Sequence, residues 1–70
     1  MKYRDVAHKM AALGCHELPR ASGGSHRKWF NPANQRATVV PDWQGRDLKL
    51  GTVRAVVRQL GIEWQNFLDV

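Results

Sequence analysis

Two segments with helical apolar spacing stand near opposite ends of the chain, and nothing between them keeps that period. Val53, Val56, Val57 and Leu60 fall at i, i+3, i+4 and i+7. They therefore line one face of a helix over roughly residues 51–60. Gly61 follows as its cap, and Arg54 and Arg58 lie one turn apart off the apolar face. Earlier, Tyr3, Val6, Ala7, Met10 and Leu13 repeat the pattern, with Arg4, Asp5, His8 and Lys9 on the other side. Gly14 then stands where a left-handed C-terminal cap is expected.

The stretch between the helices reads as extended chain. Residues 15–20 form a short first strand that Pro19 either confines to an edge or ends. Arg20-Ala21-Ser22-Gly23-Gly24-Ser25 is a loop, and residues 25–30 make a second strand. Asn31-Pro32-Ala33-Asn34-Gln35 is a turn, in which Asn34 is suited to a positive φ. Ala37 to Pro41, with Thr38, Val39 and Val40 in succession, is the best strand, and it forms a hairpin with the second. A polar connection over residues 42–49 carries one large apolar residue, Trp43. Residues 63–70 suit a last short helix packed through Trp64, Phe67 and Leu68. The order is α-β-β-β-α: an α+β domain with a three-stranded antiparallel sheet and the helices packed on one face.

Seventy residues make one domain, spanning 1–70, with a thin core, since such a chain buries only about 60% of its unfolded surface. A hydrophobic fraction of 43% with three tryptophans is enough for that core. There is no room for a substrate domain or a nucleotide-binding fold, so any chemistry sits on an exposed face. Eleven Lys and Arg against six Asp and Glu leave a net charge of +5. That excess favours a polyanionic partner, whether RNA, DNA or an acidic protein. The single cysteine, Cys15, excludes an internal disulfide and a cysteine metal cluster. With no signal peptide and no long apolar run, the expectation is a cytoplasmic protein that does not enter a membrane. No set of residues has the spacing of a zinc site.

Gly23-Gly24-Ser25-His26-Arg27-Lys28-Trp29, then Asn31-Pro32, then Thr38-Val39-Val40-Pro41 resembles the HicA family of toxins, also called YcfA-like proteins. Gly45, Asp47-Leu48-Lys49, Gly51-Thr52-Val53-Arg54-Ala55-Val56 and Arg58-Gln59-Leu60-Gly61-Ile62 continue the likeness in order. It covers nearly the whole chain. The resemblance implies a double-stranded-RNA-binding-like fold and an endoribonuclease that cuts mRNA without metal or other cofactor. It also implies control by a HicB-type antitoxin, in a hetero-oligomer with the toxin. The family's catalytic histidine lies in the Gly-Ser-His motif, which makes it His26 here. Many relatives carry a further histidine shortly after the Val-Pro that ends the third strand; this chain has Asp42-Trp43 there.

Metal-free RNA cleavage needs a group to take the ribose 2′-hydroxyl proton and another to protonate the leaving 5′-oxygen. Histidine suits either role because its ordinary pKa lies near working pH. Outside the family context, His26 would read as a plain surface residue. Gly24 allows a phosphate close to the backbone, and the Ser25 hydroxyl suits a phosphate oxygen. A flexible turn entering a strand explains both equally well. Lys28, two residues from His26, shares its strand face and is the first choice for a phosphate contact, while Arg27 points oppositely. Arg46 and Lys49 join the RNA-binding set. Arg20, Arg36, Arg54 and Arg58 widen the basic surface, though most such charges are simply solvated. Trp29 suits the core, whereas Trp43 fits packing or base stacking equally. His8 and His16 read as structural or surface residues, and Cys15 as a small buried group.

Two functional classes follow. One is a metal-independent mRNA interferase silenced by its antitoxin. The alternative is a non-catalytic RNA-binding or antitoxin-pairing module of the same fold, favoured by Trp43 standing where relatives have a histidine. Helix-turn-helix DNA binding has no support, because the whole sheet separates the two long helices.

Overall fold

A computed structural model describes residues 1–19 and 26–70. The described elements are α1 (Tyr3–Ala12), β1 (His16–Glu17), β2 (His26–Asn31), β3 (Arg36–Pro41), α2 (Leu50–Gln59) and α3 (Trp64–Asp69). This is the expected α-β-β-β-α order with a short helix appended. The strands form one antiparallel sheet in the order β1-β2-β3. None of the described helices is long and apolar enough to cross a membrane.

Helix α1 starts where the Asp5 carboxylate accepts the Lys2 backbone N–H at 3.3 Å, half of a capping box. It ends before Gly14, whose φ of +93° is the left-handed conformation expected there. Val6 and Met10 from α1, with Val53, Val56 and Val57 from α2, enter the core. Leu60, Phe67, Leu48 and Cys15 complete it against Trp29 and Val40 of the sheet. Burial pushes the Cys15 thiol pKa up.

The tight turn differs from expectation. The positive φ falls on Gln35, at +59°, rather than on Asn34. Asn34 serves by hydrogen bonding: its Nδ2 donates to the Leu60 carbonyl at 2.9 Å, and its Oδ1 accepts the Arg36 N–H at 3.0 Å. The buried Asn31 Nδ2 also donates to the Leu60 carbonyl, at 2.8 Å. Two asparagines of the hairpin thus satisfy the end of α2, whose last carbonyls have no partner within the helix.

The first strand is shorter than expected, limited to His16 and Glu17. Leu18 still donates its N–H to the Lys28 carbonyl at 2.8 Å, and Pro19, with no N–H, does not extend the pairing. Arg20 lies outside the described residues. In α3, Phe67 is fully buried and Trp64 stacks on it with ring centroids 5.5 Å apart. Leu68, expected to pack, is 43% exposed instead, since it sits about 100° around the helix from the buried Phe67, on the side turned to solvent.

Candidate functional site

Strand alternation sorts β2 into two faces. Arg27, Trp29 and Asn31 turn toward the helices, while His26 and Lys28 are exposed on the open face. On β3, Thr38 and Val40 are buried beneath the helices, and Ala37 and Val39 face outward. Thr38 donates its hydroxyl to Gln59 Oε1 at 2.6 Å, which locks β3 to α2 and keeps the helices on one side. The described helices leave the opposite face of the sheet uncovered.

On that open face the register pairs His26 with Pro41, Lys28 with Val39, and Phe30 with both Ala37 and His16. His26 and Lys28 are two residues apart, about 7 Å along the strand. A phosphate lying over β2 is within reach of both. His16 meets the edge of the Phe30 ring, with centroids 5.6 Å apart. It shares the face with His26, which sequence reasoning missed, because only the β1–β2 register reveals it. Four residues of β2, about 13 Å, separate the His26 position from Phe30. His16 is therefore too far away to act on the same phosphate as His26.

Arg27 faces the helix side as expected. Its guanidinium lies 3.3 Å from Glu17 Oε1 and 3.1 Å from Asp42 Oδ2, with the Tyr3 ring 5.1 Å away. Burial works against the charge, but Tyr3, Glu17 and Asp42 outweigh it and hold the Arg27 pKa above its ordinary value. Trp29 is buried and donates its indole N–H to the Tyr3 hydroxyl at 3.0 Å. It belongs to the core, as its spacing suggested.

Beyond Pro41 the chain makes a tight loop. The Gln44 N–H binds Asp42 Oδ1 at 3.2 Å, and the Arg46 N–H binds the Trp43 carbonyl at 3.2 Å. Asp42, Trp43, Gln44 and Arg46 line one shallow depression. Arg46 is thus gathered with Trp43 at the end of the sheet that carries His26. Lys49 lies further on, past the Lys2–Asp47 bridge, where it begins α2 within the helix layer. Gly24 and Ser25 fall outside the described residues. Among the described residues, no group of three or more His, Cys, Asp or Glu is placed to hold a metal ion.

A family model described as the HicA toxin of bacterial toxin-antitoxin systems matches residues 3–62. The chain belongs to the HicA toxin family. No curated protein and no solved structure matches it. The HicA match runs from the first residue of α1 to just past α2, so His26, Lys28, Trp43, Arg46 and Lys49 all lie within it. Helix α3, which supplies the buried Phe67, lies beyond it. Membership of the HicA family makes this chain the toxin half of a toxin-antitoxin pair, with an antitoxin as its partner.

Proposed function

We propose that this HicA-family toxin is a metal-independent endoribonuclease that cleaves mRNA in the cytoplasm, with His26 as its catalytic residue. The observation that carries the reading is the exposure of His26 on the uncovered sheet face, with Lys28 next to it on that face, inside the family match. His26 takes the proton of a ribose 2′-hydroxyl as that oxygen attacks the adjacent phosphorus. The O2′–P bond forms, the P–O5′ bond breaks, and the 5′-oxygen leaves with a proton from solvent. Lys28 steadies the charge that grows on the phosphoryl oxygens. Gly24, Ser25 and Arg46 extend the RNA-binding surface around this centre, while Lys49, at the start of α2, contributes an RNA contact from the helix layer. A HicB-type antitoxin silences the toxin by covering the open face.

The test is cleavage of a labelled mRNA in excess EDTA by the wild-type chain and by His26→Ala. Cutting that survives chelation and disappears in the variant supports the reading. Cutting unaffected by the substitution moves the chemistry to another residue. A second reading, a module that binds RNA or antitoxin without cleaving, is favoured by the distance of His16, which leaves His26 without a second imidazole beside it among the described residues. A folded wild-type chain that binds RNA but does not cut it would establish that reading.

A further inference from the structure

We propose that Trp43 is a stacking platform for an unpaired nucleobase next to the phosphate at His26, so that the RNA must be single-stranded at the site. The inference rests on the reading of this face as an RNA site and names the form of RNA it takes.

The three tryptophans differ in what surrounds them. Trp29 is buried with its indole N–H bonded to Tyr3. Trp64 stacks on Phe67 and has the Arg54 guanidinium 4.7 Å above its ring. Trp43 is 38% exposed, on a loop that offers it no such cover among the described residues. The loop is nonetheless well fixed. Arg27 holds Asp42, Asp42 accepts the Gln44 N–H, and the turn closes through Gln44 and Gly45 at φ +51° and +91°. An indole presented on a braced turn loses little conformational freedom when a flat partner arrives.

Its position suits a base. Pro41, the cross-strand partner of His26, lies about 5 Å from it, and two further residues span at most about 7 Å. The Trp43 and His26 backbones are thus within about 12 Å, close enough for a base adjoining a phosphate at His26 to lie over the indole. Arg46 shares the depression with Trp43 and supplies a cation for the flanking phosphate. Asp42, the acidic group there, already has Arg27 as partner. Bases inside a duplex have both faces occupied, so only an unpaired base has a free π-face to offer.

The test uses a single-stranded 2′-O-methyl RNA oligonucleotide, which lacks the attacking hydroxyl and stays intact, and the full chain. Titration should quench tryptophan fluorescence in the wild type and not in Trp43→Phe, which still stacks and keeps most of the affinity. Trp43→Ala should weaken binding about 5- to 150-fold, the range for losing one stacked base. The same sequence as a duplex should bind far more weakly. Equal affinity of wild type and Trp43→Ala, or equal binding of duplex and single strand, would overturn the proposal. Loss of antitoxin pairing in Trp43→Ala with unchanged RNA affinity would assign the indole to a protein contact instead. Because no cleavage is read, an inactive chain that still shows the quench keeps the subsite while losing the nuclease.

Discussion

The Arg27 guanidinium and the Asp42 carboxylate, 3.1 Å apart, join the strand that carries His26 to the loop that carries Trp43. Arg27 follows His26 in β2 but points to the opposite face, so it can brace the site without reaching RNA. Arg27→Ala should therefore lower the melting temperature by a few degrees and reduce RNA cleavage, while Arg27→Lys recovers only part of both. Lysine keeps the charge but lacks the planar fork that reaches Glu17 and Asp42 together. Unchanged cleavage in a folded Arg27→Ala chain would remove the bracing role.

His26 and Lys28 are exposed, so their substitution should leave the fold intact. His26→Ala should lower the cleavage rate about 10²- to 10⁴-fold, the usual worth of a positioned proton-transfer group, with an unchanged urea midpoint. Lys28→Ala should weaken RNA binding and reduce the slope of log affinity against log salt by about 1, as expected for one lost phosphate contact. A slope equal to wild type would show that Lys28 does not touch phosphate.

Phe67 is fully buried although it lies outside the segment that matches the family. Lys9 fastens the same helix from α1, with its Nζ 2.6 Å from the Val70 carbonyl and 5.7 Å from the Phe67 ring centre. Phe67→Ala should cost about 3–5 kcal/mol, a large share of the stability of so small a domain. Urea unfolding measures it, and a loss below 1 kcal/mol would mean that α3 is not integral to the core.

The link between hairpin and helix is also testable. Removing the buried Asn31 side chain by Asn31→Ala should cost about 1–3 kcal/mol, because the Leu60 carbonyl loses a donor and Ala33 N–H an acceptor. Gly61→Ala should also destabilise. Its φ is +70°, and the added Cβ would collide with Asn34 Nδ2. The left-handed conformation alone costs an alanine about 1–2 kcal/mol. Thermal melts of the two variants check both, and a neutral Gly61→Ala would contradict the packing described for Asn34.

Cys15 provides a pH test. Its pKa is raised by burial from an ordinary value of 9.0, so the folded state holds the thiol proton more tightly than the unfolded state. The resulting contribution to stability is complete below pH 9 and is lost as pH rises through the folded value. The urea midpoint should fall between pH 8 and pH 10, and by less in Cys15→Ala. Identical falls in both proteins would place the alkaline effect on other groups.

Much of this protein was legible along its sequence, because helix and strand periods are local. The valines of α2, the cap at Gly14 and the opposed directions of Arg27 and Lys28 all follow from spacing within one element, which the backbone geometry dictates. The ordered motifs around His26 also carried the family likeness. The length of β1, the face that His16 occupies and the turn's positive φ at Gln35 did not follow. Each depends on what lies opposite in space: pairing with β2, the register of Phe30, and the bonds that draw Asn34 to the end of α2. Trp43 shows the division most clearly. Its spacing fits packing and stacking equally, because exposure is decided by which elements cover a loop. Only the tertiary structure, with the described helices packed on the other side of the sheet, left that indole 38% exposed.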